Sequence, residues 1–177
     1  MSASRSLLPL ALASALAAAP AAAQMPTEFR DEFLAHFESS SAKVEALAEA
    51  IPEDLYTWSP GEGVMEIGHV YMHIARYNFM YLEENLGIPA PEDVDLATLE
   101  EIRGKGDVVA MLGRSVEHVR THAGAMTADD LTAETVLYGR RVAGWAVLFQ
   151  LLAHMNEHVG QSVSYARMNG IAPPWSR

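Results

Sequence analysis

The residues best suited to chemistry are histidines, of which the 177-residue chain has seven. Six of them form three pairs with the same four-residue offset: His69/His73, His118/His122 and His154/His158. In a helix that offset puts both rings on one side, one turn apart, where two imidazole nitrogens can reach a single metal ion. His154 and His158 share their side with Val147, Leu151, Gln161 and Tyr165, so this pair looks inward. A metal pair buried against other helices is the leading expectation. Spacing alone leaves packed or surface histidines open as the alternative for every pair.

Several other chemistries lack their residues. With no Cys in the chain there is no disulfide, thiolate nucleophile or cysteine-held cluster, so any metal must take nitrogen and oxygen ligands. A di-iron carboxylate site needs two Glu-x-x-His units and two further Glu, and only Glu66-Ile67-Gly68-His69 fits. The zinc-protease pattern His-Glu-x-x-His is absent, because Met155 follows His154 and Glu157 directly precedes His158. Neither Ser39-Ser40-Ser41 nor Ser162 lies in a nucleophile elbow. No glycine-rich phosphate loop follows a strand.

Met1 to Ala23 reads as an address. Arg5 precedes an apolar run from Leu7 to Ala19, and Pro20-Ala21-Ala22-Ala23 offers small residues for signal-peptidase cleavage before Gln24. The competing reading, a retained anchor, is opposed by a run shorter than the roughly 20 residues needed to span a bilayer. The expectation is an exported protein, periplasmic or secreted, with residues 1–23 as leader and 24–177 as one domain. Loss of Arg5 takes the formal charge from −11 to −12. Such acidity argues against nucleic acid and against anionic membrane surfaces, and leaves a small-molecule substrate, metals or protein partners. No stable membrane insertion is expected after cleavage.

Four long helices must position the histidines. The first is expected from Thr27, as N-cap, to Ala50, with Phe29, Phe33, Phe37, Val44, Leu47 and Ala48 recurring at three or four. His36 in this segment reads as a surface or packing residue. After a Pro- and Gly-marked loop whose Leu55, Tyr56 and Trp58 fold back, the second runs from Met65 to Leu86 and stops at Gly87. Val70, Tyr77 and Met80 put His73 on its apolar side, with His69 on the flank as a supporting or solvent-facing neighbour. The third is expected over Leu99–His122, weakened by Gly104 and Gly106, with Met111, Leu112, Val116 and Val119 as its stripe. His118 and His122 near its end read as packing and capping residues. Thr127 to Leu131 reads as irregular and Val136 to Gly139 as a short extended piece. The last helix begins near Arg141 to Gly144 and runs through Met168, before Pro173-Pro174 forbids continuation. The layout is all-α, a four-helix bundle.

Two blocks then carry a family resemblance. Pro60-x-x-Gly63-Val64-x-x-x-Gly68-x-Val70-x-x-His73-Ile74-Ala75-x-x-Asn78 is followed by His154-x-Asn156-Glu157-His158-x-Gly160-Gln161-x-x-x-Tyr165-x-Arg167-x-Asn169-Gly170-Ile171-x-Pro173-Pro174. Together they resemble the DinB/YfiT-like family, loosely between the blocks and over nearly all of the chain beyond the leader. The resemblance implies an up-down-down-up four-helix bundle, often dimeric, binding a divalent metal such as zinc or nickel through His73, His154 and His158. It selects His73 over His69. Three neutral imidazoles leave the metal's charge uncompensated and a coordination position open for water or substrate. Gln161, Tyr165, Tyr77, Glu157 and Asn156 are the polar residues placed near such a metal as catalytic or orienting candidates. Arg140 and Arg141 suit a carboxylate or a surface salt bridge. The implied function is a metal-dependent hydrolase or transferase acting on a small molecule. The alternative is a noncatalytic metal-binding or structural bundle, its coordination closed by a fourth group such as His69.

Overall fold

A computed structural model describes residues 24–176, so the expected leader lies outside the described residues. The chain is mostly helical. Its elements are α1 (Gln24–Ala50), α2 (Ile67–Met80), α3 (Lys105–Ala125), α4 (Ala128–Thr132), a hairpin of β1 (Glu134–Leu137) and β2 (Arg140–Ala143), and α5 (Gly144–Met168). Single 3-10 turns at Glu53–Leu55, Leu99–Glu101 and Pro174–Ser176 punctuate the connections. No described helix is long and apolar enough to cross a membrane.

The core forms where the long helices meet. α1 packs on α3 and α5, and α2 packs on the same two. The expected α1 stripe is buried at Phe33, Phe37, Val44, Leu47 and Ala48, each of the four larger side chains removing enough apolar surface from water to stabilise the fold by roughly 1.5–3 kcal/mol. Polar contacts set the register. Ser40 donates to Asn156 Oδ1 at 2.9 Å between α1 and α5, and Asn78 donates to Ser115 at 3.1 Å between α2 and α3. Arg120 reaches Glu38 at 2.8 Å, and Lys105 caps the carbonyls of Glu49 and Ile51, both between α3 and the α1 chain. The loop after α1 folds back as expected: the Tyr56 hydroxyl donates to the Ala48 carbonyl at 2.7 Å, and the Trp58 ring stands edge-on to Tyr165 at 5.5 Å.

Some boundaries differ from expectation. Helical backbone is already present at Gln24, so Thr27 lies inside the first turn and is not its cap. α3 starts at Lys105, not Leu99, because Gly104 sits at φ 88°, a left-handed conformation that ends regular helix on its N-terminal side. α3 also continues past His122 to Ala125. The stretch after Thr127 is ordered as α4 by a capping box in which Thr127 and Asp130 satisfy each other's backbone amides. The extended piece is one arm of a hairpin pairing Glu134 with Ala143 and Leu137 with Arg140. Tyr138 and Gly139, at φ 50° and 74°, form its two-residue turn. Gly144 then starts α5 where any Cβ would lie 2.5 Å from the Asp130 carbonyl oxygen, so only glycine lets the hairpin meet α4 this closely.

α2 ends unusually. After Met80 it widens into a π-turn over Tyr81–Asn85 before stopping at Gly87. Asn85 ties this turn to the hairpin by donating to the Val136 carbonyl at 2.7 Å.

Candidate metal centre

The fold brings one histidine of α2 to the inward pair of α5. Ring centroids are 5.1 Å apart for His73 and His154, 4.8 Å for His73 and His158, and 4.6 Å for His154 and His158. One nitrogen from each ring lies within 4.8 Å of the other two, and all three residues are half-buried. Such a group could hold a metal ion.

Two of the rings are oriented from behind. Glu100 accepts from His73 Nδ1 at 2.8 Å and meets His69 Nε2 at 3.1 Å. Because the carboxylate only accepts, His73 carries its proton on Nδ1 and keeps a lone pair on Nε2. His158 Nδ1 is held by Gln161 Oε1 at 2.7 Å, and Gln161 in turn donates to the Tyr165 hydroxyl at 2.8 Å, which again frees Nε2. The Tyr77 ring stacks on His154 at 4.3 Å and tilts against His73 at 4.5 Å. Tyr81 stands edge-on to His154 at 6.0 Å.

Electrostatics favour neutral rings at His73 and His154. Burial, followed by the neighbouring His158 and His73, pushes His154 down to about 3. Burial also lowers His73, against the opposing pull of Glu100. At Glu100 burial raises the carboxyl, but the hydrogen bonds from His69 and His73 outweigh it and leave it below its ordinary value. Neutral imidazoles with free lone pairs, beside an ionised carboxylate, are the donor set a divalent cation needs. The residues present therefore fit a metal.

The sequence pattern of the DinB superfamily matches residues 36–163. The chain belongs to the DinB superfamily. Two solved structures of DinB-like proteins share its fold. One, from Bacillus cereus ATCC 10987, is 19% identical and covers 81% of this chain and 95% of its own, with a TM-score of 0.66. Another, YjoA from Bacillus subtilis, is 24% identical and covers 78% of this chain and 92% of its own, with a TM-score of 0.54. No curated protein matches in sequence.

In this DinB chain the expected histidines fall into distinct settings. His73, His154 and His158 converge; His69 stands outside their group, its Nε2 engaged by Glu100. His36 is exposed. His118 and His122 tilt against each other at 4.4 Å, with His118 against Phe79. Gln161 and Tyr165 orient His158, while Tyr77 packs on two of the rings. Asn156 joins α1 to α5 through Ser40, and Glu157 is exposed. Arg141 pairs with Glu134 across the hairpin at 2.9 Å. Sequence alone does not signal Glu100. It lies 27 residues from His73, on the 3-10 turn anchored by buried Leu99, and no local spacing signals that contact.

Proposed function

We propose that His73, His154 and His158 bind one divalent metal, zinc or nickel, and that this DinB protein is a metal-dependent hydrolase or transferase acting on a small molecule. The convergence of three imidazoles, two with Nδ1 already held, carries the reading. A bound metal would supply Lewis acidity and a nucleophile formed from water or a substrate thiol at neutral pH. Glu100 and Gln161 fix which nitrogens face the metal. Tyr77 and Tyr81 wall the rings and limit water around them.

The reading includes an up-down-down-up bundle of α1, α2, α3 and α5. Residue numbers rise together along α1 and α5, from Phe29 with Trp145 to Ser40 with Asn156. They run oppositely along α1 and α3, where Glu38 meets Arg120 and Glu49 meets Lys105, and along α2 and α5, where His73 meets His158 and Tyr77 meets His154. It also includes export to the periplasm or medium after loss of residues 1–23, and a homodimer.

Elemental analysis of untagged protein isolated from its native compartment, beside a His73→Ala/His154→Ala variant, is the test. About one metal per chain in the parent and none in the variant is the expected result. A folded parent that takes up neither zinc nor nickel overturns the proposal. A metal that binds with no exchangeable water assigns the noncatalytic alternative.

A further inference from the structure

A groove of about 510 Å³ runs between the hairpin and the first turns of α5, lined among others by Leu137, Arg140, Val142, Trp145, Phe149 and Gln150. Its size suits a small organic ligand. The hairpin register explains the strand wall: Leu137 pairs with Arg140, and Val142 lies two residues further along, so all three share one face. The helix wall is Trp145 and Phe149, one turn apart and 42% and 59% exposed. In a chain of net charge −11 this apolar groove holds a cation. Arg140 has no ion-pair partner among the described residues, whereas Arg141, on the other face, is paired with Glu134.

The helix that walls the groove also carries two of the histidines. Ala146, Gln150 and His154 recur at four residues and form one stripe of α5, each about 6 Å beyond the last. Ala146 and Gln150 line the groove, and the Gln150 amide faces the Tyr81 hydroxyl. The Tyr81 ring is 6.0 Å from the ring of His154.

We infer that the groove binds a small organic acid with an apolar body of aromatic size. Its carboxylate pairs with Arg140, its body lies against Trp145 and Phe149, and its far end follows the Ala146–Gln150–His154 stripe toward the three imidazoles. This names the substrate class of the site proposed above and rests on that reading for what happens at the far end. The charge-assisted pair gives polarity, and the aromatic walls give a surface that accepts an apolar body.

The test uses 4-(4-fluorophenyl)butyrate and its alcohol analogue on the full mature chain. Calorimetry on metal-stripped protein is expected to show one saturable site for the acid, roughly tenfold weaker for the alcohol and in Arg140→Gln. Phe149→Ala weakens both ligands. In cobalt-loaded protein the ring fluorine resonance broadens more than the protons beside the carboxylate. No saturable binding, equal affinity for acid and alcohol, or unchanged affinity in Arg140→Gln overturns the inference, as does the reverse order of broadening. Because calorimetry needs no metal, a chain that binds the acid but no metal overturns the metal centre alone, and a chain that binds metal but not the acid overturns the groove alone.

Discussion

Two histidine pairs in this protein have the same spacing and nearly the same geometry, yet only one belongs to a candidate metal centre. His154 and His158 on α5 lie 4.6 Å apart, and His118 and His122 on α3 lie 4.4 Å apart. α2 passes both. It offers His73 to the first pair and the Phe79 ring to the second, at 5.1 Å from His118. The first site also has Glu100 and Gln161 holding ring nitrogens, whereas Nε2 of His118 is buried with no partner among the described residues. A helical His pair is therefore a common local event. What makes a site of it is a third donor from another helix and groups behind the rings that settle their tautomers.

The largest effect is expected from making the first site like the second. His73→Phe removes the α2 donor while keeping ring packing, and metal content measured by mass spectrometry should fall from about one per chain to none. Glu100→Gln leaves all three rings but weakens the hold on His73 Nδ1, and competitive chelator titration should show metal binding weaker by roughly 10–100-fold. The metal-free protein should also lose stability as pH falls. An unfolded histidine takes up a proton near its ordinary value of about 6.5, whereas folded His154 resists protonation until about 3. Between those values the unfolded chain binds more protons, so stability drops with pH, and a His154→Gln variant should show a shallower decline in melting temperature. His122→Ala should change least, leaving metal content untouched and shifting stability by about 0.5 kcal/mol or less. Loss of bound metal in that last variant would erase the distinction between the two pairs.

The helices were largely legible because long amphipathic periods are written locally, and the Gly87 stop follows from residue type, while the start of α5 is legible only as the range Arg141 to Gly144. Gly104 reads from sequence as a weak point within α3 because a glycine letter carries no φ; the structure places it before the helix. The hairpin was half visible, since Tyr138 is an unexpected aromatic at a left-handed turn position. At the site, spacing pointed to the α5 pair, while the choice of His73 over His69 depended on the resemblance carried by the motif around it. Glu100 was hidden for a topological reason: it sits on a separate turn of the connection between α2 and α3, and only folding brings it to both histidines.

The π-turn at Tyr81–Asn85 makes α2 one residue over-full relative to an α-helix. Chain length there is consequently an adjustable quantity. Deleting one residue from this turn should let the segment rewind as ordinary helix instead of breaking it. Because the wide turn takes up the extra residue, the segment beyond it would keep nearly its present phase, and Asn85 its bond to the Val136 carbonyl. A single-codon deletion here would thus leave both the His73 side of the helix and the hairpin contact in place, whereas the same deletion within Ile67–Met80 would turn everything beyond it by about 100°.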